Sequence, residues 1–196
     1  MVLSNNKVKE LVTKYFPYLK NKEIDAFLSI TKYQFVKNKE IILKGGKTDK
    51  TLIFILKGVA RAYSINDKGQ ELNDFIRAEG HLMGDAKVFG DDVQMLNIES
   101  IGEIHFLKFD ISELEALGYK SPELMKFHLN FLKEIILTLS YRLNTFVTMT
   151  PEERYIDLIS WNPILIESAF DKHLASFLGI TPLTLYRIKK KQKPIK

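Results

Sequence analysis

Residues 171–190 have the sequence DKHLASFLGITPLTLYRIKK, and this pattern predicts a helix-turn-helix. Ala175 lies four residues before Gly179, and its small side chain lets a second helix cross close to the first. Gly179 can adopt the positive φ that a tight turn between two helices needs. Thr181 can then cap a new helix, and Pro182 can occupy its first turn, where a missing N–H costs nothing. The alternative is an ordinary antiparallel helical hairpin with a glycine turn.

The charge distribution favours a hairpin that binds DNA. Residues 181–196 contain one arginine, five lysines and no acidic residue, whereas the whole chain has a net charge of +5. The excess positive charge therefore lies on the second helix and the tail behind it. An exposed basic helix of this kind suits the major groove of DNA. The predicted DNA-binding residues are Thr181, Thr184, Tyr186, Arg187, Lys189, Lys190 and Lys191.

The basic tail KKKQKPIK, residues 189–196, follows the second helix. We expect no room on that side for the strands of a wing, and we expect the tail to make mobile phosphate contacts instead. A solvated charged tail is the alternative.

Composition limits the possible classes of protein. The chain of 196 residues has no cysteine, which excludes disulfides, thiolate metal sites and thiol nucleophiles. The N-terminal sequence has no apolar signal-peptide core, and no apolar run approaches the roughly 18 residues of a membrane helix. We therefore expect a cytoplasmic protein with no cofactor and no membrane partner.

The first 110 residues predict helices followed by a β-unit. Residues 5–31 carry two helical apolar stripes, separated near Pro17. Six short apolar runs bounded by turn residues then predict an antiparallel sandwich or barrel, and Asn66-Asp67-Lys68-Gly69 is its clearest hairpin turn. The predicted strands are Ile41–Leu43, Leu52–Leu56, Val59–Ile65, Leu72–Ile76, Leu96–Ile101 and Ile104–Phe109.

Residues 121–147 predict one long helix with two apolar faces, capped by Ser121 with Pro122 in its first turn. The first face is a heptad seam with alternating steps of 4 and 3. The seam residues are Met125, Leu129, Leu132, Ile136, Leu139, Leu143 and Phe146. The second face contains Leu124, Phe127, Phe131 and Ile135. We expect this phenylalanine stripe to pack on the β-unit and the seam to pack on the same helix of a second chain. A helix buried wholly within one chain is the alternative.

A further helix is predicted at residues 151–160, before the hairpin. Thr150 can cap it, Pro151 can open it, and Trp161-Asn162-Pro163 can end it. The fold class is therefore α+β. The predicted domains are a β-unit at 1–120, a dimerisation helix at 121–148 and a helix-turn-helix domain at 149–196.

This order of elements resembles the Crp/Fnr family of bacterial transcription regulators. The most specific match is KHLASFLGIT at 172–181 with Thr184-Leu185 and Arg187-Ile188, which is similar to that family's recognition hairpin. Further family motifs are resembled by three other segments, which are Glu153-Arg154-Tyr155, Leu52–Gly58 and the segment from Gly84-Asp85 to Glu99.

The resemblance implies a β-roll that binds a small effector, a homodimer, and a palindromic DNA operator. It also implies contact with RNA polymerase if the protein is an activator, and base contact by Arg187. Pro182 and Leu183 depart from the family pattern, so the base contacts of those positions do not carry over.

The cyclic-nucleotide pattern of that family is incomplete in this chain. In the members that bind cyclic nucleotides, a glutamate after the cassette glycine holds the ribose, and an arginine about ten residues later holds the phosphate. Here Asp85 follows Gly84, Gln94 or Met95 stands at the arginine position, and Lys87 is the only nearby cation. We therefore expect an unknown effector and no response to cyclic AMP or cyclic GMP. The predicted effector-pocket residues are Gly84, Asp85, Ala86, Lys87, Gln94 and Met95.

Three classes of function remain open from the sequence. The first is an effector-controlled transcription factor, which predicts a polar pocket beneath Gly84; a cyclic-nucleotide regulator with a non-standard phosphate clamp is a variant of it. The second is an effector-independent DNA-binding dimer, which predicts a β-roll filled by its own side chains. The third is a cupin-like enzyme, which predicts a three-ligand metal site. The four histidines show no metal-ligand spacing and no catalytic motif is present, so we expect neither a metal nor an enzyme.

Overall fold

The computed structural model describes residues 2–47, 50–90, 93–161, 163, 165 and 169–192, without the side chains of Ala86 and Trp161. Two helices open the chain, α1 at Asn5–Tyr15 and α2 at Asn21–Ser29. Ser4 caps α1, because its Oγ accepts a hydrogen bond from the backbone N–H of Lys7 at 3.3 Å. The predicted pair of N-terminal helices is confirmed.

An antiparallel sheet follows, with the order β1-β6-β3-β4. A short strand, β2, pairs with β6, and β5 pairs with β3. The strands are β1 at Lys32–Val36, β2 at Ile41–Leu43, β3 at Thr51–Ile65, β4 at Glu71–Ala78, β5 at Leu82–Met83 and β6 at Asn97–Asp110. The antiparallel β-unit is confirmed, although β1 and β5 were not predicted as strands.

The predicted turns at Gly58 and Gly102 are wrong. Both glycines lie inside continuous strands, where they have φ angles of +99° and +78°. The pairing of β3 with β6 shifts register on both sides of Lys57. A Cβ on Gly58 would lie 2.4 Å from the carbonyl oxygen of Glu103, so only glycine fits there. The two glycines bend the long strands into a roll. A β-bulge favours glycine as a turn does, so glycine in the sequence did not distinguish a bulge from a turn.

Aromatic side chains pack between the helices and the roll. Helix α3 spans Ile111–Gly118 and helix α4 spans Pro122–Thr148. Phe127 and Phe131 of α4 are buried, and their rings contact those of Phe16, Phe27 and Phe54 with centroid separations between 4.7 and 6.5 Å. The phenylalanine stripe of α4 therefore packs on its own β-roll, as predicted.

The fully described helices of the C-terminal part are α5 at Pro151–Trp161, α6 at Asp171–Phe177 and α7 at Pro182–Gln192. Thr150 and Glu153 form a capping box at the start of α5. The N–H of Glu153 donates to Thr150 Oγ1 at 3.3 Å, and Glu153 Oε2 accepts from the Thr150 N–H at 2.7 Å. The predicted cap is confirmed. Asn162 of the predicted stop lies outside the described residues.

One cluster of buried apolar side chains joins the sheet to the C-terminal helices. Val59, Ile76 and Ile101 of the sheet belong to the same cluster as Leu174 of α6 and Leu185 of α7. The hairpin is therefore docked on the outer face of the roll. Among the described residues, no helix combines the length and apolarity that a membrane span requires.

Candidate nucleic-acid interface and effector region

Helices α6 and α7 form a tight hairpin around Gly179. Ala175 and Leu174 are fully buried, and the N–H of Ile180 donates to the Ala175 carbonyl at 2.9 Å. Gly179 has a φ of +68°, and a Cβ there would lie 2.7 Å from Cε1 of Phe146. The small residue at 175 and the glycine at 179 therefore have the roles predicted from their spacing.

The second helix of the hairpin buries one face and exposes the other. Thr181 Oγ1 accepts from the N–H of Thr184 at 3.1 Å, which caps α7 as predicted. Leu185 and Ile188 are buried, whereas Arg187 and Lys190 are exposed to solvent. Tyr186 is also exposed. The exposed surface of α7 is therefore mainly polar and basic, with Leu183 exposed at its start.

Two of the predicted phosphate contacts are engaged within the chain. Lys189 Nζ pairs with Asp171, and Lys191 Nζ lies 2.8 Å from Glu152 Oε2. The pKa of Glu152 is lowered, chiefly by its hydrogen bond from Lys191. No ion pair to Arg187 or Lys190 is found within the described part of the chain. Among the described residues of α7, these two cations are ready to meet an anionic surface.

The hairpin is held on strand β4 by contacts that the sequence did not predict. Ser176 Oγ accepts from the N–H of Asn73 at 2.9 Å. Arg142 of α4 donates through Nη2 to the carbonyls of Asn73 at 3.3 Å and Phe177 at 3.1 Å. Since β4 is an edge strand, these groups satisfy backbone atoms that would otherwise face water. A serine or an arginine at such positions carries no recognisable sequence motif.

A buried ionic cluster lies beside this contact. The guanidinium of Arg61, 2% exposed, donates to Glu99 at 3.1 Å and pairs with Glu71 at 2.7 Å. The hydrogen bond from Arg61 lowers the pKa of Glu71. Burial, with the nearby charges of Arg61 and Lys172, lowers the pKa of His173 to about 4. Arg61 is therefore neutralised by carboxylates of the protein and is not a free cation for a phosphate.

Asp85 serves the backbone of the predicted effector segment. Its Oδ1 accepts from the N–H of Lys87 at 3.0 Å, and its Oδ2 accepts from those of Met95 at 2.6 Å and Leu96 at 3.1 Å. A carboxylate with three backbone donors is a structural cap. Asp85 therefore does not stand free to take the place of the ribose-binding glutamate.

The space around Gly84 is small. A Cβ on Gly84 would lie 2.0 Å from Leu52 Cδ2, and the adjoining hollow has a volume of about 40 Å³. Inside the roll, Ile53, Ile55 and Phe106 belong to a buried apolar cluster. Lys87 and Met95 are exposed, Gln94 is buried, and the side chain of Ala86 is not described. The hollow at Gly84 is lined mainly by apolar side chains, with Arg77 and Asp85 beside them, and apolar side chains occupy the described interior of the roll.

No protein-family model matches the sequence, and no curated protein matches it. Solved structures do match. The c-di-GMP-responsive global regulator CLP of Xanthomonas campestris is 16% identical, with a TM-score of 0.67 over 88% of this chain and 91% of that one. FixK2 of Bradyrhizobium japonicum is 13% identical, with a TM-score of 0.68 over 83% and 84%. A Eubacterium rectale transcriptional regulator assigned to the Crp/Fnr family is 14% identical, with a TM-score of 0.68 over 91% and 87%.

This chain has the Crp/Fnr fold. The likeness covers 88% of this chain for CLP and 91% for the Eubacterium protein. The resemblance inferred from KHLASFLGIT and the order of elements is confirmed at the level of fold. CLP and the Eubacterium protein are regulators by their own descriptions. Within the described residues, no group of three or more His, Asp or Glu is arranged to hold a metal ion.

In this Crp/Fnr fold the heptad seam of α4 faces solvent. Leu129, Ile136 and Leu143, the predicted a positions, are 54%, 65% and 68% exposed. Leu139 and Phe146 are also exposed, and Met125 and Leu132 are half-buried. The alternative of a helix buried wholly within its own chain is therefore wrong. An apolar stripe of this length on a helix surface is what a partner helix covers.

A large groove lies outside the roll, against the hairpin. It has a volume of about 510 Å³ and lies between β4, the C-terminal half of α4, α5 and the turn after α6. Phe75, Phe146 and Phe177 form apolar walls, and Arg142 and Arg154 are also part of the lining. The sequence did not predict this groove, because its walls come from four segments that are distant along the chain.

Proposed function

We propose that this protein is a sequence-specific, DNA-binding transcriptional regulator of the cytoplasm. The observation that carries the proposal is the exposed basic face of α7. This helix is the second helix of the helix-turn-helix, and its N-terminus is capped. Arg187 and Lys190 lie on this face without an ion-pair partner among the described residues. A helix that presents a free arginine and a free lysine suits base edges and phosphates of the major groove.

The proposal includes a homodimer formed through the seam of α4. Supporting it are the exposed seam residues Leu129, Ile136, Leu139 and Leu143 of a 27-residue helix. Two recognition helices related by a two-fold axis would enter successive major grooves about 34 Å apart and require a palindromic operator. If the protein is an activator, RNA polymerase would be a further partner.

A second candidate is a dimer that binds DNA without an effector in the roll. The filled interior around Ile53, Ile55 and Phe106 favours this candidate over a regulator with a ligand beneath Gly84. Both candidates share the same DNA-binding surface and the same dimer.

Selection of binding sites from a random duplex library tests the shared proposal. The full chain is incubated with the library, and the bound fraction is sequenced over several rounds. We expect a two-fold symmetric motif whose half-sites are about 10–10.5 base pairs apart, or a multiple of that spacing. The Ile136→Asp variant serves as the dimer control and should lose the symmetric motif. The absence of any enriched motif would contradict the proposal.

A further inference from the structure

The groove beside the hairpin combines an apolar lining with half-buried positive charge. Phe75, Leu137 and Phe177 lie in its walls, and its volume of about 510 Å³ is in the range of small-molecule sites. The strand β4, the helices α4 and α5, and the segment Phe177-Leu178 all contribute to the walls. An occupant of this groove would therefore contact the roll, the long helix and the DNA-binding hairpin together.

Arg142 lies in this groove without a carboxylate bound to it. Its Nη2 donates to two backbone carbonyls, and within the described residues its Nε and Nη1 have no hydrogen-bond partner. The rings of Phe177 and Phe146 lie 4.3 and 5.0 Å from its guanidinium carbon. Burial lowers the pKa of Arg142 to about 10, and Asp74 acts against that shift. Asp74 is itself hydrogen-bonded to Ser64.

A second guanidinium adds to the positive charge. Arg154 donates through Nε and Nη2 to the carbonyl of Leu178 at 3.1 and 3.0 Å, and through Nη1 to that of Met149 at 2.8 Å. Arg154 is therefore hydrogen-bonded to neutral backbone carbonyl groups and not to a carboxylate. The acid in the groove lining, Asp157, accepts a hydrogen bond from the hydroxyl of Tyr141. Arg77, also in the lining, is paired with Glu134 at 2.9 Å.

We propose that this groove binds a small organic carboxylate with an aromatic or aliphatic body. The carboxylate would accept a charge-assisted hydrogen bond from either Nε or Nη1 of Arg142, because these two donors point to opposite sides of the guanidinium and cannot form a fork together. The body would pack on the phenylalanine rings. The binding site lies outside the β-roll and is distinct from the segment at Gly84. Its role as an effector site rests on the proposed function, but the binding itself does not.

Isothermal titration of the full-length protein with 4-phenylbutyrate tests the site without DNA. The matched ligand is 4-phenyl-1-butanol, which has the same body and no charge. We expect saturable binding of one 4-phenylbutyrate per chain, and roughly tenfold or greater weakening for the alcohol, because a hydrogen-bonded charge is lost. Equal affinity for acid and alcohol, or no saturable binding of the acid, would overturn the proposal.

Three variants locate the site. Arg142→Gln should bind the acid roughly tenfold or more weakly, down to the level of the alcohol. Thr138→Trp should block both ligands by filling the groove while Arg142 is kept, and it serves as the test if Arg142→Gln fails to fold. Lys133→Gln removes an exposed cation of the same helix outside the groove and should bind normally.

Binding that Thr138→Trp leaves unchanged would place the ligand elsewhere. Binding seen only in the monomeric variant Ile136→Asp would show that the partner's helix fills the groove, and would also overturn the proposal.

Discussion

Arg187 and Lys190 occupy the same exposed face of α7, but their side chains predict different roles. The guanidinium of arginine presents a rigid fork that matches O6 and N7 of guanine, whereas the lysine ammonium is a compact point charge. Both are free of ion pairs within the described residues, unlike Lys189 and Lys191. We therefore assign base recognition to Arg187 and phosphate contact to Lys190.

Arg187→Ala should lose roughly 1–3 kcal/mol of discrimination at one base pair of each half-site. Lys190→Ala, the matched control on the same helix face, should weaken binding to all sequences alike and reduce the salt slope by about one. Anisotropy titrations of the selected operator and a scrambled duplex, repeated over a range of salt, measure both effects. An equal loss on the two duplexes for Arg187→Ala would remove its assigned role.

Gly179→Ala should destabilise the protein more than Gly69→Ala does. The two glycines have φ angles of +68° and +72°, so each alanine meets similar backbone strain, of roughly 1–2 kcal/mol. Only at Gly179 would the new Cβ also press on Phe146, at 2.7 Å. Urea unfolding measures the two changes. Equal destabilisation would show that Phe146 moves aside freely.

His173 should make stability depend on pH. Burial and the charges of Arg61 and Lys172 lower its pKa to about 4, opposed by Glu71 and Glu99, so the folded protein holds the neutral ring. The unfolded chain binds the proton near pH 6.5, so the stability from the neutral ring is present above that pH and is lost as the pH falls towards 4.

The check is the urea midpoint between pH 7.5 and 4.5 for the wild type and for His173→Gln, which cannot titrate. We expect the wild type to lose more stability on acidification than the variant. Parallel curves for the two proteins would contradict the assignment to His173.

At the scale of elements, α4 buries one apolar face and leaves the other exposed. The stripe of Leu124, Phe127 and Phe131 packs within the roll, while the seam on the other side faces solvent. Two copies of the seam packed together would remove both from water, and this is the basis of the proposed dimer.

Ile136→Asp should give monomers. Truncating a packed Ile or Leu typically costs about 2–5 kcal/mol, and a buried unpaired charge adds to this on both helices of the dimer. Asn144→Asp places the same charge on an exposed position of α4 outside the seam, and should remain dimeric. Sedimentation velocity at low micromolar concentration distinguishes the two results. An Ile136→Asp variant that stays dimeric would exclude the seam as the interface.

At the scale of the whole molecule, the filled roll bears on the question of cyclic nucleotides. A cyclic phosphate enclosed in the roll needs a compensating cation, because an unpaired buried charge costs several kcal/mol. Arg61 is already paired with two glutamates, and the carboxylate of Asp85 is held by three backbone N–H groups. The arrangement of these groups opposes a cyclic nucleotide beneath Gly84.

We expect neither cyclic AMP nor cyclic GMP to bind to the ligand-free protein in isothermal titration. Lys87 is exposed and is the cation nearest to Gly84 along the chain, so Lys87→Ala is the informative variant. Saturable binding of either nucleotide that disappears in Lys87→Ala would show that this lysine replaces the missing arginine.

The sequence by itself determined the elements whose signals are local. The cap at Thr181, the turn at Gly179 and the heptad spacing of α4 each depend on residues a few positions apart, so their geometry follows from the chain alone. The alternation of apolar runs likewise predicted an antiparallel β-unit, and the order of elements predicted the Crp/Fnr fold.

Only the tertiary structure decided what depends on distant residues. Gly58 and Gly102 bend continuous strands and do not end them, because the partner strand sets the register at each bulge. Asp85 was expected to face a ligand, yet it caps the backbone of residues ten and eleven positions ahead. The groove around Arg142 exists because four separate segments meet there. Packing brings such groups together by long-range contacts, which local sequence patterns do not encode.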